Sequence, residues 1–149
     1  MNHLYIMRHG LAAAPRQSEL DEQRPLTDEG RARVAARAAM LAEAHETVKS
    51  VFHSPYTRTT QTASIMAEKL SAPCEVMHGL IPDGSVDEII TALLDMELPA
   101  LLVSHLPLVD DLCYALTGRQ VGFQPGTIVK IQLNNALAAT NPVVSIHRS

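Results

Sequence analysis

Arg8 and His9 are the first residues whose types and position could do chemistry. They directly follow the apolar run Leu4–Met7 and precede Gly10. Such a run is typical of a strand buried on both faces of a sheet, and Gly10 permits a sharp turn or a close approach of the backbone to a ligand. Because open α/β sheets bind ligands at the carboxyl ends of their strands, the pattern predicts a binding site there. A buried cationic pair at that position favours an anionic ligand.

Two later segments repeat this arrangement. A second apolar run ends in Ser104 and His105, and a helix is predicted to begin directly behind it. Arg58 follows the strand-like segment 48–53 and stands in the first turn of another predicted helix, near the positive helix end where anions bind. Each of these residues alone would be interpreted as structural. Two histidines in equivalent places, together with two arginines, predict an anion-binding pocket instead.

Alternating strands and helices are needed to bring these residues to one edge of a sheet. Apolar runs and short alternating segments predict strands at 4–7, 48–53, 75–77, 99–105, 127–133 and 142–147. Helical spacing and capping residues predict helices at 28–45, 56–70, 86–96 and 106–116, and the third should face the core with Ile89, Ile90, Leu93 and Leu94. The sequence therefore predicts an α/β protein with one domain over residues 1–149. We expect a three-layer sandwich whose mostly parallel central sheet carries an antiparallel C-terminal strand, within a closing hairpin.

Composition argues against several classes of partner. The chain has 149 residues, a formal net charge of −4 and no tryptophan, which does not fit a nucleic-acid partner, since basic patches and aromatic stacking platforms are missing. No apolar run approaches the length of a membrane span, so no membrane partner is expected. The first residues lack the layout of a signal peptide, which predicts a cytoplasmic protein. Cys74 and Cys113 stand in unlike contexts and are interpreted as two reduced thiols.

Three longer motifs resemble those of a known family. They are Arg24–Thr27 (Arg-Pro-Leu-Thr), Ser54–Thr62 (Ser-Pro-x-x-Arg-x-x-Gln-Thr) and Ser104–Val109 (Ser-His-Leu-Pro-Leu-Val). With the N-terminal Met-Arg-His-Gly, the chain resembles the histidine phosphatase superfamily, the phosphoglycerate-mutase-like proteins that carry a phosphoryl group on histidine. Within it, the SixA-like phosphohistidine phosphatases match best. The resemblance covers essentially the whole chain and implies the phosphoglycerate-mutase-like fold.

The resemblance places Arg8, His9, Arg58 and His105 on the catalytic quartet of that superfamily. A neutral His9 could take the phosphoryl group as a covalent intermediate, while the guanidinium forks of Arg8 and Arg58 match phosphate oxygens. His105, preferably protonated, would complete the phosphate-binding pocket and stabilise charge on the transferring group. The arginines push both histidines toward the neutral form, and we expect bound phosphate to restore the charge of His105. No metal and no other cofactor is expected, because the arginines neutralise the phosphoryl charge.

Two departures from the wider superfamily concern the substrate. Mutases and sugar phosphatases carry a glutamate acid after the third strand, and acid phosphatases an aspartate after the second histidine. Here segment 78–84 offers only Asp83, for which a structural role in a turn is preferred, and Leu106 follows His105. The short connection from Asp83 to Pro99 leaves no lid insertion. These features favour an open site for a protein phosphohistidine, on a phosphotransfer or phosphocarrier domain, and we expect the enzyme to be a monomer.

Other interpretations stay open at this point. A small-molecule phosphomonoesterase or mutase of the same superfamily is one alternative, and a non-catalytic phosphoprotein-binding module, disfavoured by the presence of His9, is another. A metal site built from the seven histidines lacks the paired spacing that ligands on a helix show. Arg16, Ser18 and Arg24 are further candidates for contact with the phosphate, although for Arg24 a salt bridge that orders its loop is preferred.

Overall fold

The structure, a computed structural model, describes residues 2–148. Its strands are β1 (His3–Arg8), β2 (Ser50–His53), β3 (Cys74–Val76), β4 (Ala100–Ser104), β5 (Ile128–Gln132) and β6 (Val143–His147). Its α-helices are α1 (Asp28–Glu43), α2 (Thr57–Leu70), α3 (Val86–Leu94) and α4 (Leu108–Thr117), and two 3₁₀ turns occupy Asp21–Gln23 and His78–Leu80.

The six strands form one sheet in the order β3-β2-β4-β1-β5-β6. Strands β1 to β4 are parallel to one another, whereas β5 runs antiparallel to β1, and β6 runs antiparallel to β5. The predicted antiparallel strand near the C-terminus is therefore β5, and β6 closes the hairpin at the sheet edge. The predicted α/β class with a mostly parallel sheet is confirmed.

Side chains that alternate along the central strands divide the core between two layers of helices. Leu4 and Ile6 of β1 share a buried cluster with residues of α3 and α4. Tyr5 and Met7 share another with residues of α1 and α2 on the opposite face. Because both faces of β1 are covered, its sequence is a continuous apolar run rather than an alternating one. The predicted three-layer sandwich follows directly from this division.

Helix α1 holds the loop that follows β1. Thr27 caps the helix by accepting a hydrogen bond from the backbone N–H of Gly30 at 2.9 Å. A Cβ atom at Gly30 would lie 2.2 Å from the carbonyl oxygen of Leu11, so only glycine permits the observed approach of helix and loop. This contact fixes the chain just beyond the end of β1.

Some predicted boundaries were wrong. Helix α3 ends at Leu94 rather than at 96, and Leu94, predicted to face the core, is 55% exposed. The ring of Pro107 sits at the cap of α4, so the helix begins at Leu108 and leaves 105–107 as a turn at the sheet edge. Residues 48 and 49 precede β2 instead of belonging to it.

In the part of the chain that the structure describes, no helix is long and apolar enough to cross a lipid bilayer.

Candidate active site

The register of the parallel strands brings the predicted residues to one edge of the sheet. Arg8 at the end of β1 pairs with Ser104 at the end of β4, and β2 ends beside β4 on its other side. His9, Ser54 and His105 therefore follow three neighbouring strands at the same edge. The backbone N–H of His9 donates to the carbonyl oxygen of Ser104 at 3.0 Å, which ties two of these strand ends together.

A cleft of about 310 Å³ opens at this edge. All four residues of the predicted quartet line it, namely Arg8, His9, Arg58 and His105. Asp21 and Arg24 line it from the loop after β1, and Pro82, Leu106 and Pro125 line it from other loops. The structure thus brings the quartet together in one cleft, and the catalytic roles assigned to its members stay predictions.

The surroundings of His9 determine which ring nitrogen is free to react. Nδ1 lies 2.7 Å from the carbonyl oxygen of Gly10, and because a carbonyl can only accept, Nδ1 carries the proton. In the neutral ring Nε2 then keeps its lone pair. The pKa of His9 is lowered to about 4, chiefly by burial and also by the positive charges of Arg58, Arg8 and Arg24, against an opposing effect of the hydrogen bond to Gly10. His9 is therefore neutral at pH 7.

His105 is more deeply buried than His9, with only 2% of its surface exposed. Its Nε2 lies 2.7 Å from Oγ of Ser54, while Nδ1 is buried without a hydrogen-bond partner among residues 2–148. The ring meets those of His9 and Tyr56 edge-on, with centroids 5.2 and 4.8 Å away. The pKa of His105 is lowered to about 3, chiefly by burial and also by His9 and Arg58. The arginines push both histidines toward neutrality as predicted, but burial is the larger cause.

Arg58 enters the cleft from the first turn of α2, as predicted. Its two terminal nitrogens donate to Asp21, to the carbonyl oxygen at 2.8 Å and to Oδ2 at 3.1 Å. The guanidinium lies over the ring of Tyr56, 5.0 Å from its centroid, and its Nε is buried without a hydrogen-bond partner in the described part of the chain. Arg58 is therefore oriented by one carboxylate and one ring while part of its donor capacity stays unused.

Arg8 is anchored from the opposite side of the cleft. One terminal nitrogen donates to the carbonyl oxygen of Phe123 at 3.1 Å, and Nε is buried without a hydrogen-bond partner within residues 2–148. Burial lowers the pKa of Arg8, Asp110 raises it and Arg58 lowers it. The two arginines thus repel each other, and a bound anion would relieve this repulsion while accepting their unused donors.

The other candidates occupy different places. Arg24 bonds Oδ1 of Asp21 at 2.8 Å and the carbonyl oxygen of Ala13 at 3.0 Å, so the predicted loop-ordering salt bridge is present, although Arg24 also lines the cleft. Arg16 and Ser18 are exposed in the loop after β1 and do not line the cleft. Asp83 is exposed in the turn beside Pro82, also outside the lining.

Asp21 and Ser54 are among the site residues to which the sequence analysis gave no role. Asp21 lies 37 positions before Arg58, and nothing in the local pattern of its loop indicates the contact. Ser54 was part of a quoted motif, but only the structure shows its hydroxyl on the ring of His105. Among the described residues, no group of three or more His, Cys, Asp or Glu side chains is arranged to hold a metal ion.

Comparison with known proteins identifies the family. Residues 4–81 match the model of the histidine phosphatase superfamily (branch 1). The chain belongs to this superfamily. It is 36% identical over 112 residues to the phosphohistidine phosphatase SixA of Escherichia coli (strain K12), an alignment that covers 71% of this chain and 68% of the relative.

Solved structures share the fold. The protein histidine phosphatase SixA complexed with tungstate superimposes with a TM-score of 0.87 at 28% identity, covering 97% of this chain and 95% of that one. A mycobacterial glucosyl-3-phosphoglycerate phosphatase superimposes with a TM-score of 0.74 at 15% identity, covering 97% and 98%. The predicted fold of the superfamily and the SixA-like resemblance are confirmed. Because the second structure shares only the fold, fold alone does not select the substrate.

Proposed function

We propose that this protein is a phosphohistidine phosphatase that hydrolyses the phosphoryl group of a protein histidine through a covalent phospho-His9 intermediate, without a metal ion. The observation that carries the proposal is the state of His9. Its ring is neutral, and Nδ1–H donates to the carbonyl oxygen of Gly10. Nε2 therefore keeps its lone pair, in a ring that lines the cleft together with Arg8 and Arg58.

In the first step, Nε2 of His9 attacks the phosphorus atom of the substrate. The new N–P bond forms on His9 while the N–P bond of the substrate histidine breaks, and the departing imidazole takes a proton from solvent. Arg8 and Arg58 bind the phosphoryl oxygens during transfer, because their planar donor forks match these oxygens and stay charged at neutral pH. Nε of each arginine, which has no hydrogen-bond partner among residues 2–148, adds to this capacity.

In the second step, water attacks phospho-His9. The N–P bond to His9 breaks, inorganic phosphate leaves and the neutral ring is restored, still held by its bond to Gly10. Because the ring does not have to reorient between the steps, both use one preorganised geometry.

The substrate class follows from the leaving group and from the shape of the site. Asp83 is exposed and outside the cleft lining, and the carboxylate of Asp21, which does line the cleft, is paired with Arg24 and Arg58. Among the described residues, no unpaired carboxylic acid of the cleft therefore serves an alkoxide leaving group. An imidazole leaves more readily than an alkoxide. A cleft at a sheet edge without a lid insertion suits a histidine on a folded partner, and we infer a phosphotransfer or phosphocarrier domain of a phosphorelay. Since residues of one chain line the cleft, the monomer is the expected active form.

Turnover in the presence of a chelator tests this proposal. A phosphorylated phosphotransfer domain, p-nitrophenyl phosphate and 3-phosphoglycerate are compared as substrates of the wild type, His9→Ala and His78→Ala, the last replacing an exposed histidine outside the cleft. We expect rapid loss of phosphohistidine in the wild type and His78→Ala, little ester hydrolysis, and loss of activity in His9→Ala. Preferential hydrolysis of either ester would refute the substrate class. Phosphate binding without any turnover would refute the activity.

A further inference from the structure

A hydroxyl pair stands behind His105 on the side away from the cleft. Oγ of Ser54 lies 2.7 Å from Nε2 of His105 and 2.5 Å from Oγ1 of Thr59, and it is 3.3 Å from the backbone nitrogen of Tyr56. Ser54 and Thr59 are completely buried. Because both hydroxyls are closed to bulk solvent, their few protons determine the pattern of donors and acceptors.

The proton of Thr59 can be assigned from its carbonyl contacts. Oγ1 of Thr59 lies 3.0 Å from the carbonyl oxygens of both Ser54 and Tyr56, and carbonyls only accept. The single hydroxyl proton of Thr59 is therefore directed at these carbonyls. In the contact between the two hydroxyls, Ser54 must then be the donor.

This assignment leaves Ser54 with two lone pairs and no further proton. One lone pair accepts from the backbone N–H of Tyr56, and the other accepts from Nε2 of His105. The reverse arrangement, with Ser54 donating to His105, would turn the proton of Thr59 away from both carbonyls and leave two oxygen–oxygen contacts at 3.0 Å without a proton.

We infer that Ser54 and Thr59 are positioning residues that hold His105 in its Nε2–H tautomer, so that His105 binds the phosphoryl group only after Nδ1 gains a proton. The inference rests on the proposed function, because it specifies how the same site takes up its substrate. His9 and His105 are thereby held in opposite tautomers: the first carries its proton on Nδ1, the second on Nε2.

Proton uptake follows from the groups that face His105. These are His9 and Arg8 from the end of β1, Arg58 and Tyr56 from the start of α2, and Asp21 from the 3₁₀ turn. In the resting site burial, His9 and the arginines disfavour a charge on His105, whereas Asp21 favours it. An unprotonated Nδ1 carries a lone pair and would repel a phosphoryl oxygen, whereas a protonated Nδ1 donates a hydrogen bond to it. The dianion supplies the missing negative charge, and solvent supplies the proton, so binding takes up one proton at this atom.

Long-range ¹H–¹⁵N spectra of histidine side chains report the tautomer directly. His105 should be in the Nε2–H form in the free wild type and doubly protonated with tungstate bound. Ser54→Ala removes the acceptor of Nε2–H, and Thr59→Val removes the acceptor of the Ser54 proton, which then turns to Nε2. Both variants should shift the ring toward the Nδ1–H form. Ser104→Ala, which deletes a buried hydroxyl bound to the carbonyl of Leu80, should keep the wild-type tautomer.

The pH dependence of tungstate affinity provides a second test. A merely structural role of Ser54 and Thr59 would not change this dependence. Tungstate remains a dianion from pH 6 to 9. If its binding takes up one proton, the affinity of the wild type for tungstate should fall by up to about tenfold for each unit by which the pH rises within this range. In Ser54→Ala and Thr59→Val a neutral Nδ1–H can donate without proton uptake, and the profile should flatten. We expect kcat/KM to fall by roughly tenfold to hundredfold, since a buried hydrogen-bond partner is lost.

An Nδ1–H tautomer in the free wild type would overturn the inference, even if neither variant folded. So would an unchanged tautomer, or an unchanged pH profile, in Ser54→Ala and Thr59→Val. The spectra do not depend on turnover. The two proposals can therefore fail separately. The spectra could show the wrong tautomer in a protein that hydrolyses phosphohistidine, or the expected tautomer in a protein that fails the turnover test.

Discussion

Replacing His9 with asparagine should remove a large part of the acid sensitivity of the fold. The native ring is held neutral by burial and by nearby arginines, so folding opposes its protonation. Asparagine does not titrate, yet its amide N–H can still donate toward the carbonyl oxygen of Gly10. The substitution therefore removes the titration with little change in polarity.

The magnitude follows from proton linkage. The pKa of histidine in an unfolded chain is about 6.5, and that of His9 in the folded protein is about 4. Between these values the unfolded chain binds a proton that the folded protein does not, so the free energy of unfolding decreases as the pH falls. For His9 the loss is about 2 kcal/mol at pH 5 and approaches about 3 kcal/mol below pH 4. Removing His9 also lessens the repulsion felt by His105, which acts in the same direction.

Urea unfolding at pH 7.5 and pH 5 measures this quantity. Between the two conditions the wild type should lose about 2 kcal/mol more free energy of unfolding than His9→Asn. His78→Asn, which replaces an exposed histidine, should follow the wild type. Equal losses in the wild type and His9→Asn would show that His9 is not kept neutral, and the argument for a neutral nucleophile would fail.

Three further substitutions test the cleft and the loop that follows β1. Arg58→Lys lacks the two-pronged donor and should weaken tungstate inhibition about tenfold or more. Asp21→Asn removes an exposed carboxylate that competes for the buried Arg58, and phosphate should inhibit two- to fivefold more tightly in competition assays, about 0.5–1 kcal/mol. Weaker inhibition would contradict the competition. Gly30→Ala places a methyl group 2.2 Å from the carbonyl oxygen of Leu11. Helix propensity alone predicts that the free energy of unfolding rises by up to about 1 kcal/mol. Because of the close contact, we expect urea unfolding to show that it falls by about 1–3 kcal/mol.

The central strands could be predicted from sequence because strands buried on both faces consist of apolar residues. Every residue of β4 is buried, and so are the four apolar residues of β1 before Arg8. Strands covered on both faces need apolar residues at every position, and the polar residues that follow them mark the carboxyl edge. For this reason, and with the resemblance to a family, the sequence could predict that these four residues meet in one cleft.

The remaining features depend on contacts between distant segments. Asp21 meets Arg58 across 37 positions, from a loop whose local pattern shows no periodicity. The hydroxyl of Ser54 reaches His105 across 51 positions, and its direction is determined by Thr59, not by any pattern in the motif. Leu94 was wrongly placed in the core because apolar type alone does not distinguish two adjacent residues at a helix end. Such features follow from tertiary packing.

Trapping the phosphoenzyme tests the central claim most directly. The protein is mixed with a ³²P-phosphorylated phosphotransfer domain, quenched on the millisecond scale into alkaline detergent, where phosphohistidine survives, and mapped by peptide mass spectrometry. His9→Asn is the matched control.

We predict a label on the peptide that contains His9. It should appear no more slowly than the donor loses its phosphoryl group, decay with release of phosphate, and be absent from His9→Asn. Steady hydrolysis of the donor without label on His9, or with the label on another residue, would contradict the proposed mechanism.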